Sequence, residues 1–309
     1  MIEKNAKIFI CGHRGMVGSA CVRKFEREGY TGILKRTHAE LDLRNQTAVK
    51  YFYDAEKPDY VVLAGAKVGG IMANKTHCAE FLLENLEIQN NVIMQSFQHN
   101  VKKFCFLGSS CIYPRQAPQP IKEEYLLTGP LETTNEGYAL AKISGYKLCL
   151  YLSLQYGWNT VSLMPCNLYG TNDTYDLVNG HVFPAFVRRF VEAARENRPE
   201  EVLWGTGKPL REFLHVDDVA NAVYYFMQNH NEPEIINVGY GTDITIRELA
   251  EKIAAAAGFK GKINWDASKP DGMYRKLMDS SKARALGWRP QITLDEGIIR
   301  TVAEYQKLS

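Results

Sequence analysis

Lys7-Ile8-Phe9-Ile10-Cys11-Gly12-His13-Arg14-Gly15-Met16-Val17-Gly18 reads as a short apolar strand that runs straight into a glycine-spaced turn. The spacing is G-x-x-G-x-x-G. Glycines at these positions permit a tight turn and a close backbone approach to a pyrophosphate. The helix that follows presents free N–H groups and the positive end of its dipole. Such a pattern recurs by chance. The strand before it and the helix signal after it supply the context of a dinucleotide-binding turn.

Strand and helix signals alternate beyond this segment. The spacing of Val17, Ala20, Cys21 and Phe25 predicts a helix over 15–29, with Gly29 as its stop. Gly32-Ile33-Leu34-Lys35, Asp59-Tyr60-Val61-Val62-Leu63-Ala64, Lys103-Phe104-Cys105-Phe106-Leu107 and Thr160-Val161-Ser162-Leu163-Met164 read as strands, and 79–100 and 136–156 as helices. Nearly continuous apolar strands separated by helices predict a parallel sheet covered on both faces. The expected fold class is α/β: a Rossmann-type doubly wound parallel sheet with a smaller α/β substrate-binding lobe.

The rhythm changes after Pro165. A polar loop over 170–180 precedes helices over 181–197, 216–229 and 245–257, with a strand at Ile235-Ile236-Asn237-Val238-Gly239. The expected division is a dinucleotide-binding domain over 1–165 and a second lobe over 166–309, with part of about 212–240 returning to the first domain.

Composition narrows the partners. The 309 residues carry 37 basic and 35 acidic side chains, so the net charge is 37 − 35 = +2. There is no polybasic field to recruit nucleic acid or an anionic membrane, and no apolar run reaches the ~18 residues of a membrane span. The first residues lack a signal-peptide pattern. The seven cysteines are odd in number and none are spaced C-x-x-C. A cytoplasmic protein with neither disulfides nor a metal site is expected.

The end of the second strand separates NAD from NADP. An acidic residue there binds a ribose 2′-OH, whereas basic ones suit a 2′-phosphate. Here Lys35-Arg36-Thr37-His38-Ala39-Glu40 puts basic residues first, and Arg14 in the glycine turn can join them on the phosphate. NADP(H) is the expected cofactor. The alternative for Lys35 and Arg36 is solvated surface charge.

Tyr138 and Lys142 lie four apart in the 136–156 helix, hence on one face. An ammonium beside a phenol favours the phenolate and lowers its pKa from ~10. Such a tyrosine can exchange a proton with a carbonyl or alcohol oxygen while hydride moves at the carbon. Ser109 and Ser110 stand at the C-terminal end of the fourth strand, where open α/β sheets bind ligands.

Several further stretches extend the pattern in order along the chain: Ala66-Lys67-Val68-Gly69-Gly70-Ile71, Gly108-Ser109-Ser110-Cys111-Ile112-Tyr113-Pro114, Asn167-Leu168-Tyr169-Gly170, Gly180-His181-Val182, Arg211-Glu212-Phe213-Leu214-His215-Val216-Asp217-Asp218 and Lys269-Pro270-Asp271-Gly272. Together with the glycine turn and Tyr138–Lys142, they make the chain resemble the extended short-chain dehydrogenase/reductases. Within that family it is similar to the NADPH-dependent epimerase-reductases of GDP-4-keto-6-deoxy-D-mannose, whose product is GDP-L-fucose.

The resemblance implies two reactions at one site. The C4 ketone acidifies C3–H and C5–H. Cys111 is implied as the base and His181 as the acid on the opposite face, and Tyr138, Lys142 and Ser109 as the groups that assist reduction at C4. Implied cofactor contacts are Gly12, Arg14, Gly15, Met16, Val17, Gly18, Arg36, His38, Leu43, Leu107, Gly108, Tyr138, Lys142, Pro165, Asn167, Leu168 and His181. Implied GDP-sugar contacts are Ser109, Ser110, Cys111, Asn167, Arg189, Trp204, Arg211, Asp271 and Lys276. His38 departs from the family, which often has arginine there. A homodimer through the helices at 79–100 and 136–156 is also implied. A sister enzyme acting on a 3,6-dideoxy (colitose-type) or heptose 4-keto sugar stays open.

Overall fold

Ile8, Phe9, Ile10 and Cys11 are all buried, so β1 (Ile8–Cys11) is covered on both faces, as a central strand of a parallel sheet must be. The computed structural model describes residues 1–177, 180–269 and 271–308. Pro270, part of one quoted stretch, and positions 178 and 179 of the polar loop lie outside the described residues.

The first half contributes β1, α1 (Met16–Arg27), β2 (Ile33–Leu34), α2 (Gln46–Glu56), β3 (Tyr60–Leu63), α3 (Ile71–Thr76), α4 (Cys78–Gln98), β4 (Lys103–Leu107), α5 (Glu136–Tyr156) and β5 (Thr160–Pro165). The second contributes β6 (Asn167–Tyr169), α6 (Val182–Arg195), β7 (Glu200–Trp204), β8 (Leu210–Arg211), β9 (Phe213–His215), α7 (Val216–Asn229), β10 (Ile235–Val238), β11 (Ile244–Thr245), α8 (Ile246–Ala257), β12 (Lys262–Asp266), β13 (Arg275–Lys276), α9 (Ser281–Ala285) and α10 (Leu294–Leu308).

The main sheet has the order β10-β5-β4-β3-β1-β2, and every neighbouring pair is parallel. It is the doubly wound Rossmann-type sheet expected from the sequence. The chain leaves β1 toward β2 on one side and then crosses back to β3 on the other. That switch point is where open α/β sheets form a ligand crevice. Helices pack in two sets, α1 against α7 and α4 against both α2 and α5. Strand β10 pairs with β5 from Ile235↔Ser162 to Val238↔Pro165, so the chain re-enters the main sheet after visiting the smaller sheets.

A second core gathers Tyr169, Phe183, Val187, Phe190, Leu203, Leu249, Ile253, Ile298 and Val302. Helices α6, α8 and α10 pack around it. Small sheets β11-β8-β13 and β12-β7 lie in the same half of the chain.

Some elements lack a strong periodic signal. Helix α2 buries only Val49, Phe52 and Tyr53 among polar neighbours, and its start is fixed by Asn45, whose side chain accepts from Ala48 N. Helix α10 starts at a reciprocal Thr293–Glu296 pair, with each side chain accepting from the other residue's backbone N–H.

Candidate active site

The glycine turn closes at the switch point. Gly12 has φ +74°, and a Cβ there would lie 2.7 Å from Gly65 Cα at the end of β3. A Cβ on Gly18 would lie 2.1 Å from the carbonyl oxygen of Gly12. Neither position accommodates a side chain. Gly15 is the N-cap of α1 and supplies no side-chain cap, so first-turn N–H groups stay open to an anion. Met16 and Val17 begin that helix. The cradle fits a dinucleotide pyrophosphate.

Basic groups surround the turn. Burial holds the His13 imidazole below its ordinary value, and Arg14 and Lys35 push it the same way. Arg36 pairs with Glu56 and lies 5.3 Å from the Phe52 ring centroid; Lys35 pairs with Glu26 at 3.1 Å. Lys35 is exposed, as the alternative of solvated surface charge has it, whereas Arg36 is half-buried. His38 is exposed, with Nε2 3.6 Å from Asp42. Leu43 lies in the same crevice: its Cδ1 would be 3.4 Å from a Cβ on Gly65.

Strand β4 delivers the second cluster. Its buried residues run to Leu107 and Gly108, after which Ser109 adopts an extended conformation and starts a tight turn, Ser110–Ile112. Ser109 Oγ accepts from Cys111 N at 3.3 Å. Ser110 and Cys111 are buried. On α5, Lys142 Nζ donates to the Leu107 carbonyl at 2.9 Å and sits 5.7 Å from the Tyr138 ring centroid. Burial brings the Lys142 ammonium down to about 8.

The expected lowering of the Tyr138 phenol is not what the structure shows. Burial pushes its pKa up, and Cys111 adds to the rise. The ammonium is bonded to a main-chain carbonyl, and desolvation of the phenol outweighs it. Burial likewise raises the Cys111 thiol, against the opposing pull of Lys276, the Ser109 hydrogen bond and Lys142. Ser109, Cys111, Tyr138, Lys142 and Lys276 therefore act on one another, although Lys276 comes from the far end of the chain.

His181 is the N-cap of α6 and makes no side-chain capping bond. Its imidazole is open to solvent yet held below its ordinary value by the surrounding protein. Pro165 ends β5 beside Val238, and Leu168 lies in β6 beside Leu214. Asn167 Nδ2 donates to the Glu212 carbonyl at 2.9 Å.

The remaining expected contacts lie in the second half of the chain. Arg189 bonds Glu201 and the Val202 carbonyl, both at 2.6 Å, which anchors it to β7. Trp204, at the end of β7, is 71% exposed, with Lys269 Nζ 5.7 Å from its ring centroid. Asp271 accepts from Thr206 N and Oγ1 at 2.9 and 2.6 Å. Burial lowers Arg211, and Asp271 opposes it; burial lowers Lys276 too.

Two buried polar residues at this site, Glu212 and Asn237, carry no sequence expectation. Glu212 is marked only by its place beside Arg211, and Asn237 only as a polar break in an apolar strand. Burial raises the Glu212 carboxyl to about 7, despite N–H bonds from Gly241 and Met278. The seven cysteines are free, and only Cys78 is exposed. Among the described residues no group of side chains gathers as a metal site, and no helix is long and apolar enough to cross a membrane.

Residues 8–239 match the model of the NAD dependent epimerase/dehydratase family. The chain is 56% identical over 305 residues to a putative GDP-L-fucose synthase 2 of Arabidopsis thaliana, covering 99% of this chain and 93% of the relative. It is 49% identical over 304 residues to the GDP-L-fucose synthase of Escherichia coli strain K12, covering 96% and 95%. Among solved structures it is similar to MlghC, a GDP-mannoheptose C4 reductase from Campylobacter jejuni with NADP bound. That likeness has TM-score 0.92 and 39% identity, over 99% of this chain and 100% of the other.

Proposed function

We propose, for a chain that belongs to the NAD dependent epimerase/dehydratase family, the NADPH-dependent 3,5-epimerisation and 4-reduction of GDP-4-keto-6-deoxy-D-mannose to GDP-L-fucose. The observation that carries this reading is the cluster of a thiol, a serine and a Tyr–Lys pair at the end of β4, in a chain with full-length likeness to GDP-L-fucose synthases.

The ketone makes both reactions available at one oxygen. Enolate formation and hydride addition each place negative charge on O4, so one set of donors serves both transition states. Ser109 and Tyr138 supply those donors. Cys111, as thiolate, removes the proton from C3 and then from C5. His181 returns a proton to the other face of each carbon, and an imidazole held below its ordinary value gives that proton up readily.

NADPH bound along the glycine turn supplies the hydride for C4. Tyr138 gives its proton to O4, and Lys142 stabilises the phenolate left behind. Gly12, Gly15 and Gly18 admit the pyrophosphate. Arg14, Arg36 and His38 face the 2′-phosphate, while Leu43, Leu107, Gly108, Pro165, Asn167 and Leu168 line the rest of the cofactor path. Arg189, Arg211 and Lys276 hold the diphosphate, Trp204 packs on the base, and Asp271 and Ser110 complete the GDP-sugar contacts.

In this reading residues 1–165 bind NADP(H), and 166–309 bind the nucleotide sugar with part of about 212–240 returning. The protein is cytoplasmic and dimeric. Helices α4 and α5 pack on each other and leave Leu83, Leu140, Tyr151 and Leu154 exposed, an apolar face that a second copy covers.

A C4 reductase of a GDP-heptose is the second reading, favoured by the likeness to MlghC. NADPH oxidation and NMR of the product, with deuterium wash-in at C3 and C5, separate the two. The proposed activity predicts GDP-L-fucose carrying deuterium at both carbons. Reduction without wash-in, or turnover of the heptose alone, rejects it.

A further inference from the structure

Lys276 and Cys111, far apart in the chain, act on each other electrostatically, and buried polar side chains that the proposed chemistry does not use hold together the segments that follow them. Asn237, on β10, is fully buried. Its Oδ1 accepts from Tyr113 Oη at 2.6 Å, and its Nδ2 donates to the Ile121 and Asp279 carbonyls at 3.0 and 3.2 Å. Tyr113 follows Cys111 by two residues, and Asp279 follows Lys276 by three. Glu212 is also fully buried. It accepts from Met278 N at 3.0 Å and from Gly241 N at 2.6 Å. Main-chain bonds close the same seam, Ile121 N to Leu277 O and Asp279 N to Ile121 O, both 2.8 Å.

Buried amides and carboxylates weaken a core unless every polar atom is satisfied. Here Asn237 ties Tyr113 and Ile121, after Cys111, and Asp279, after Lys276, to the same point of β10, while Glu212 ties Met278 and Gly241 to the link between β8 and β9. A thiol buried in apolar surroundings does not ionise readily. A cation fixed beside it offsets that, and the offset falls steeply with distance in a water-poor site.

We propose that Asn237 and Glu212 are positioning residues that lock the strand bearing Lys276 to the turn bearing Cys111, and so set the cation beside the thiol that inversion uses. This rests on the reading of Cys111 as base. Its geometric half, a cation held at the thiol, is testable without any sugar.

The experiment is the pH dependence of Cys111 alkylation by iodoacetamide, read at that residue by mass spectrometry. The intact protein is compared with Lys276→Met, Glu212→Gln and Tyr113→Phe. Lys276→Met moves the midpoint to higher pH by about one unit or more, the size expected for loss of an adjacent opposite charge. Glu212→Gln and Tyr113→Phe move it the same way by less, with NADPH affinity unchanged. Tyr113→Phe keeps the ring and removes one hydrogen bond, so it carries the test if Glu212→Gln does not fold. Folded Glu212→Gln and Tyr113→Phe with the parental midpoint overturn the proposal, as does a parental midpoint in Lys276→Met. Shifted midpoints in a protein that neither exchanges nor reduces the sugar reject the functional reading and leave the positioning intact.

Discussion

Lys142 Nζ donates to the main-chain oxygen of Leu107 across 2.9 Å, which pins the ammonium to the last residue of β4. The turn that carries Ser109 and Cys111 starts directly beyond it. One helix residue thus ties the Tyr138 face of α5 to the strand end where the ketone is proposed to sit.

That placement sets a pH limit. Burial brings Lys142 to about 8, so its charge is present below that pH and lost above it. Burial drives the Tyr138 phenol in the opposite direction, well above its ordinary value, so the tyrosine is not the source of a limb near 8. In the profile of kcat/KM for reduction, which reports the free enzyme, activity falls above about pH 8. Lys142→Arg, whose guanidinium stays charged, lowers the rate and removes that limb. A parental profile flat through pH 9.5 takes Lys142 out of the reaction.

Tyr138→Phe separates the two halves of the chemistry. The phenol gives a proton only in the reduction, whereas Cys111 and His181 handle the carbon-bound protons. NADPH oxidation drops by roughly 10²–10⁴-fold, the usual worth of a positioned acid. Deuterium wash-in at C3 and C5 falls by less, because enolate formation loses one hydrogen-bond donor to O4 but keeps Ser109. Equal loss of both activities means that the proton given in the reduction adds nothing beyond the hydrogen bond to O4.

The main sheet was legible because its strands are short, apolar and punctuated by glycine and proline. Tyr138 and Lys142 were legible for a similar reason: four residues along a helix is a local signal. The relation of Lys276 to Cys111 was not, because it depends on how β13 pairs with β8 and on the bridge from Ile121 to Met278. Nothing in the local sequence at 276 encodes that relation. The phenol's direction was not legible, for a different reason. Residue spacing brings an ammonium near, but burial is a property of the assembled fold, and it dominates here. Helix α2 carries a weak signal because it buries only three apolar side chains, although Asn45 at its start is a usable cap signal.

The glycine turn yields a graded test. A methyl on Gly18 meets the Gly12 carbonyl oxygen at 2.1 Å, but one on Gly15 meets the same oxygen at an ordinary 3.4 Å. Gly18→Ala therefore moves the turn itself, lowering both thermal stability and NADPH affinity, the latter by more than about tenfold through lost charge-assisted N–H bonds. Gly15→Ala leaves the melting temperature near the parent's and weakens NADPH alone. Fluorescence titration and a melting curve of each variant check this. A melting temperature near the parent's in Gly18→Ala as well means that the close approach at Gly18 is relieved without cost.

Glu212 links the positioning seam to stability through a sign that can be worked out. Burial raises its folded-state pKa from 4.5 to about 7. Between those values the folded protein holds a proton that the unfolded chain has released. Stability therefore declines as pH rises across that window, by up to ~1.4 kcal/mol per pH unit. Glu212→Gln cannot titrate, so subtracting its stability curve cancels every other group that titrates alike in both proteins. From pH 5 to 7 the parent loses stability relative to Glu212→Gln, and the difference levels off above about 7. Urea melts of both proteins at half-unit intervals measure it. Parallel curves mean that Glu212 is already ionised at pH 5 and that its two N–H bonds at least offset burial.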